Sequence, residues 1–205
     1  SIHWFRQDLR LSDNPALSEA IESGDILPIY ILDDINSNDN KMGEASRWWL
    51  HHSLSNLNKK LGGKISFYNG DPKEIFNKLS EQYDVKSIYW NRCYEPWRIK
   101  RDKDLKKDLE EKNIHIETHN GSLLWEPWTV LKNDGTPYRV FSPYYKRGCL
   151  EAPAPREPIK EPSLSNIVSN LFDSLSLDDL DLLPDVGWYE DMESLWIPGE
   201  DGAKE

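Results

Sequence analysis

Bulky apolar residues come in short runs, separated by stretches whose apolar positions recur at helical spacing. Ile2, Trp4 and Phe5 open the chain, as expected of a central strand buried on both faces. The run breaks into Arg6-Gln7-Asp8-Leu9-Arg10, two cations bracketing a carboxylate. Asn14 followed by Pro15 predicts a helix N-cap with proline at the first helical position, and Leu17, Ala20 and Ile21 form its stripe before Gly24. Ile26 to Leu32 predicts a second buried strand, with Pro28 restricted to its start or to an edge. Leu50, Leu54, Leu57 and Leu61 mark a helix from about Glu44, closed by Gly62-Gly63. Ile65 and Phe67 mark a third strand. Asp71-Pro72 repeats the cap-plus-proline start, with Ile75, Phe76, Leu79 and Tyr83 as the buried face. Ile88-Tyr89-Trp90 is a fourth strand, and Ile114 and Ile116 mark a fifth. Between them runs a highly charged helix to about Lys112, whose Arg98–Lys112 stretch reads as a solvated face around Leu105 and Leu109.

Five strands alternating with helices predict an α/β fold: a five-stranded, doubly wound parallel sheet, Rossmann-like, with helices on both faces. Ligands of such sheets sit outside the carboxyl ends of the strands, where strand order reverses. With strand 1 central and strands 2 and 4 beside it, that crevice collects Arg6-Gln7-Asp8, Asp33-Asp34, the start of the second helix and Asn91 to Arg98. The cofactor-binding candidates are therefore Arg6, Asp33, Ser46, Asn91, Glu95 and Arg98. Arg6 is favoured as a ligand contact, whereas Asp8 and Arg10 read as an ion-pair clamp on the first loop. Asp33-Asp34 suits the hydrogen-bonding groups of a ligand and suits loop capping equally well. The chain carries no G-x-G-x-x-G, no G-x-x-x-x-G-K-[ST] and no G-x-S-x-G, so no catalytic residue is assigned in it. His51, His52, His115 and His119 read as surface histidines rather than metal ligands, and the nine Trp as packing.

The pattern changes after Leu123. Asn133-Asp134-Gly135, between Val130-Leu131 and Tyr138-Arg139-Val140, predicts a small hairpin, and Ser142-Pro143 starts a short helix. Pro153, Pro155, Pro158 and Pro162 then make a stiff connector. The expected division is an α/β domain over 1–150 and an extended, acidic interdomain linker over 151–205. Charge sharpens it: residues 1–150 carry 22 acidic and 22 basic side chains, residues 151–205 carry 14 and 3, so the tail holds the whole net charge of −11. Neither part has the surplus of cations that nucleic-acid binding needs. The tail is too acidic to order alone, and its Leu175, Leu177, Leu180, Trp188, Trp196 and Ile197 want a surface to pack on. With no long apolar run, no leader-like start and two cysteines outside C-x-x-C spacing, a soluble monomer of the reducing cytoplasm, with no membrane contact, is expected.

Several stretches resemble the photolyase/cryptochrome family, in the form of the N-terminal antenna domain of a class I-type DNA photolyase. They are Trp4-Phe5-Arg6 through Asn14, Gly43 through Leu54, Asn91-Arg92-Cys93-Tyr94-Glu95-Pro96 with Arg101-Asp102, Pro137 through Tyr144, and Trp196-Ile197-Pro198-Gly199-Glu200 through Ala203. The resemblance implies an antenna chromophore here, 5,10-methenyltetrahydrofolate or 8-hydroxy-5-deazaflavin. It also implies a helical half, following Glu205, that binds flavin adenine dinucleotide (FAD) and meets ultraviolet-damaged DNA. The full-length protein would then be a deoxyribodipyrimidine photo-lyase, with this chain not catalytic by itself, or else a signalling cryptochrome; the lesion type stays open. Folate-binding members carry Asn-Glu where Trp97-Arg98 stand, and deazaflavin-binding members carry Arg at Gln7 and an acidic residue at Cys93, while Asp33 and Glu95 match the deazaflavin pattern. An unrelated nucleotide-binding domain would need a glycine-rich loop after strand 1 or 4, and neither loop contains glycine.

Overall fold

The computed structural model describes residues 1–169 and 172–205. Five strands, β1 (Ile2–Phe5), β2 (Leu27–Leu32), β3 (Ser66–Asn69), β4 (Ser87–Asn91) and β5 (His115–His119), form one parallel sheet in the order β3-β2-β1-β4-β5. The connecting helices are α1 (Pro15–Glu22), α2 (Glu44–Lys60), α3 (Pro72–Gln82) and α4 (Pro96–Glu111). The two cap-plus-proline signals do what their chemistry demands. Asn14 accepts from the Leu17 amide at 3.1 Å and Asp71 from the Lys73 amide at 3.0 Å, each worth about 1 kcal/mol. Pro28 sits in an interior strand, not at an edge. Leu27 donates to Ser1 on the β1 side, so Pro28 faces β3, whose pairing begins only at Ile29. Its missing N–H is not needed there.

Side chains alternate between the two faces of the sheet. Phe5, Tyr30, Leu32 and Tyr89 join α1 and α2 in one core layer. Trp4, Ile29, Ile31, Ile88 and Trp90 join Phe76, Leu79, Leu105 and Leu109 of α3 and α4 in the other. Tyr83 departs from the expected buried face: it caps α3 and is 42% exposed. The predicted hairpin is a turn without a ladder. Lys132 and Thr136 close it at 2.9 Å, but Val140 is exposed, and a lone two-stranded hairpin without a face to bury is marginal. A short helix does follow at Phe141–Pro143, widening into a π-type turn over Tyr144–Cys149.

The acidic tail finds its surface. Its proline stretch runs past Asp13, whose amide donates to the Ile159 carbonyl at 2.7 Å. Ile167 then bridges to Ile26, and Leu175 bridges antiparallel to Phe67 on the outer edge of β3. Ile167, Leu180 and Leu182 are buried in the α1/α2 layer with Leu177 packed against it, whereas Trp188, Trp196 and Ile197 stay exposed. On the opposite edge, Glu117 lies 3.5 Å from His115 and 3.3 Å from His119 along β5.

His3 is fully buried in β1, edge-on to Phe5 at 4.4 Å. Burial pushes its pKa down from 6.5 to about 4, against a weaker upward pull from Asp8. The unfolded chain therefore takes up the proton first. Stability falls as pH drops from about 6.5 to about 4, by about 3 kcal/mol from this group, with no further loss below. Urea unfolding of wild type and His3→Leu at pH 7 and pH 4.5 checks this: the variant should lose about 2 kcal/mol less between the two pH values.

Candidate functional site

The β1/β4 boundary, where the chain turns to opposite faces, is filled by a buried polar knot. Asn91 donates from its side chain to Asp8 and to Asn14 (2.7 Å) and accepts from the Ala16 amide at 3.3 Å. Asp8 also accepts from the Arg6 amide at 2.9 Å. Asp8 is thus held by amides, not by a guanidinium. Arg10 points elsewhere, donating to the carbonyls of Ser12, Asp13 and Gly121. The expected Asp8–Arg10 ion-pair clamp is replaced by two separate fastenings of the same loop.

With that side closed, the open crevice lies over β1 and β2. It is a cleft of about 610 Å³ lined by Arg6, Gln7, Leu9 and Arg10 after β1, Tyr30, Ile31 and Asp33 from β2, and Met42, Ser46, Trp49, Leu50 and Ser53 before and along α2. Trp4, Trp97, Arg98 and Arg101 complete it, with Gly199, Glu200 and Ala203 of the tail. Cations and indoles alternate through its wall. The Arg98 guanidinium lies 4.7 Å from the Trp97 ring, Arg101 lies 5.3 Å from Trp97 and 4.9 Å from Trp4, and Arg6 lies 5.0 Å from Trp4, all within cation–π range.

The cations differ in how far they are already committed. Arg6 pairs with Asp102 and donates to the Asn91 carbonyl. Arg101 bridges Asp33 (2.8 Å) and Asp102 (2.7 Å); burial tends to lower its pKa, and the two carboxylates raise it overall. Asp33 is saturated by Arg101 together with the Asn36 amide and side chain. Arg98 is freer: its partners are Cys93 Sγ and Glu95, each at 3.6 Å. Burial pushes the Glu95 carboxyl up, but its own amide, Gln7 and Arg98 outweigh that and leave it below the usual range. Burial likewise raises the Cys93 thiol, against Arg6 and Arg98.

The tail reaches the same place through Glu200. This carboxylate is 6% exposed and accepts from the Leu11 and Ser12 amides at 3.1 Å each and from the Ser12 hydroxyl, with Lys60 at 3.1 Å and Lys204 at 3.0 Å. Burial alone would raise its pKa; the hydrogen bonds from Ser12, Leu11 and Lys204 prevail and hold it far below the ordinary carboxylate range.

A sequence model of the family described as DNA photolyase matches residues 1–163. The chain belongs to the DNA photolyase family. Among curated relatives of this photolyase-family chain, a deoxyribodipyrimidine photo-lyase of Agrobacterium fabrum is 36% identical, over 98% of this chain and 42% of its own length. Cryptochrome-2 of Arabidopsis thaliana is 34% identical over 74% of this chain and 25% of its own. The crystal structure of a class III photolyase from Agrobacterium tumefaciens superposes with a TM-score of 0.87 at 34% identity, covering 99% of this chain and 42% of that one. The chain thus spans less than half the length of the relatives it matches.

Of the residues expected at the site, Arg6, Asp33, Ser46 and Arg98 line one cleft. Glu95 is not among the lining residues but accepts at 2.8 Å from Gln7, which is. Asn91 lies in the polar knot. Arg101 and Asp102 were hidden in what reads as a solvated helix face, yet their side chains are 7% and 14% exposed. Two signals were available: Arg101-Asp102 belongs to a stretch that resembles the family, and Trp97 and Arg101 stand four apart at the start of α4 and share one face. Gln7 lines the cleft as its place after β1 implies, whereas Trp49 and Glu200 lie in stretches that resemble the family but were not singled out as site residues. Arg101→Met leaves two nearly buried carboxylates, Asp33 and Asp102, short of a partner. It should cost about 3–5 kcal/mol in chemical denaturation, whereas a loss under 1 kcal/mol would mean the network is not structural.

Proposed function

We propose that this chain is the light-harvesting half of a DNA photolyase, holding an antenna chromophore in the cleft over β1 and β2. The observation that carries the reading is the cleft itself. Its volume suits a drug-sized ligand, Trp49 and Trp97 offer flat apolar surface, and Arg98 has donors to spare beside them. That combination fits a planar heteroaromatic ring bearing a polar or anionic substituent, as both 5,10-methenyltetrahydrofolate and 8-hydroxy-5-deazaflavin do. Of the six candidate contacts, Arg98 and Ser46 are proposed to touch the ligand, while Arg6, Asp33, Asn91 and Glu95 hold the wall in shape. A chromophore bound there would absorb light and pass its excitation to FAD.

FAD, the ultraviolet-damaged DNA and the cleavage of pyrimidine dimers are assigned to a helical half beyond residues 1–150 and the 151–205 connector, in a monomeric cytoplasmic enzyme. The Agrobacterium photo-lyase, 42% of whose length is matched by nearly this whole chain, supports the photo-lyase part of that assignment. A structure of the Sulfolobus tokodaii photolyase is described as holding two FAD molecules, with implication of a novel light-harvesting cofactor. A flavin is therefore a third ligand worth testing. Within the described residues no helix is long and apolar enough to cross a membrane. The identity to a plant cryptochrome keeps blue-light signalling as the second reading.

The test is the absorption spectrum and repair activity of the protein made from the whole gene. A flavin spectrum with an additional near-ultraviolet or blue band is expected, together with light-dependent loss of cyclobutane dimers. Arg98→Ala should remove the additional band and leave the flavin band. A flavin-bound protein without repair activity would favour the cryptochrome reading, and a colourless one would overturn both.

A further inference from the structure

One wall of the cleft comes from the far end of the chain. Gly199, Glu200 and Ala203 line it, although the other walls are built from residues 4–101. The tail holds this position by unusually specific means. Glu200 receives two backbone amides and a hydroxyl from the loop between β1 and α1, the loop that also presents Gln7 and Arg10 to the cleft. On the other side it meets Lys60, and its neighbour Asp201 takes Asn56 Nδ2 at 2.7 Å, both from α2, the helix that presents Ser46 and Trp49. The backbone is shaped to allow this. Gly199 has φ +103, and any Cβ there would stand 3.2 Å from Asn56; a Cβ on Gly202 would fall 1.9 Å from the Ile197 carbonyl oxygen. Trp196 completes the seat, edge-on to Trp49 at 6.0 Å.

We infer that Glu200 is a positioning residue of the cleft: it pins residues 199–203 across two of the walls, so that ligand retention and fastening of the tail are one linked equilibrium. This rests on the chromophore reading above. A buried carboxylate facing five donors is held only while the tail is seated, and the tail shields the cleft only while it is held. By linkage, whatever binds the closed cleft must in turn tighten the tail.

The test uses the 205-residue chain with two probes, 5,10-methenyltetrahydrofolate and flavin mononucleotide, followed by fluorescence titration and by amide exchange of the 199–203 peptide. A bound probe should slow exchange at 199–203. Glu200→Ala should speed that exchange and weaken probe binding about tenfold or more, with the far-UV circular dichroism unchanged; Glu200→Gln, which keeps an acceptor for Ser12, should fall between. Arg98→Ala should weaken the probe without loosening the tail of the free chain, a split that a general loss of structure would not give. Wild-type affinity in Glu200→Ala together with a loosened tail overturns the inference, and so does unchanged exchange at 199–203. If Glu200→Ala fails to fold, Lys60→Met takes its place with the same two readouts in the same directions. If neither probe binds the wild type, the chromophore reading falls for both. The pinning is then decided by exchange alone: faster in Glu200→Ala supports it, unchanged overturns it.

Discussion

Asn91 fixes where the crevice at the carboxyl ends of the strands can open. It ends β4 at the point where the chain must leave for α4, while β1 leaves for α1 on the opposite face. Such a divergence opens a crevice in any doubly wound sheet. Here one carboxamide closes it, joining the β1 loop through Asp8, the α1 cap through Asn14 and the first turn of α1 through Ala16. Each partner is itself buried, so removing any of them strands a polar group away from water, at about 1–3 kcal/mol. The remaining space lies toward β2 and α2, and every other feature of the cleft follows from that displacement.

The cleft wall is an electrostatic structure before it is a recognition surface. Arg6, Asp102, Arg101 and Asp33 form a chain of opposite charges beneath the opening, with indole rings inserted between the guanidiniums. Along that chain two guanidiniums are matched by two carboxylates, so it carries no net formal charge despite its four ionised groups. Arg98, at the rim, is the cation whose contacts are long enough to be exchanged for others.

The sheet was legible because its signals are local: apolar runs of strand length, two cap-plus-proline starts, and leucines at helical spacing. Strand 1 between strands 2 and 4 was the expectation, and the order β3-β2-β1-β4-β5 extends it at both edges. The neighbourhood of the cleft was legible for the same reason, since the loops after β1 and β2 must lie at one end of the sheet. What escaped was decided by contacts between residues far apart in the chain. Nothing near Arg101 announces that Asp33 lies beside it, so a charged helix looks solvated throughout. Nothing near Glu200 announces the Leu11 and Ser12 amides. The acidic tail looked like a spacer because its burial is carried by a few residues, Ile167, Leu180 and Leu182, without a period that sequence could display. The Asn133-Asp134-Gly135 turn forms, but its flanks have no layer to cover and make no hairpin.

The bridge between Leu175 and Phe67 has a bearing on solubility. A parallel sheet ends in two open rows of peptide groups, each a template on which another molecule's strand could grow. At β3 the tail's own backbone occupies part of that row, and the segment doing so belongs to the most negatively charged quarter of the chain. At β5 the row is flanked by His115, Glu117 and His119, polar side chains that disfavour a flat apolar neighbour. The same tail that completes the cleft thus guards one margin of the sheet against self-association, which makes its charge protective as well as unbalanced.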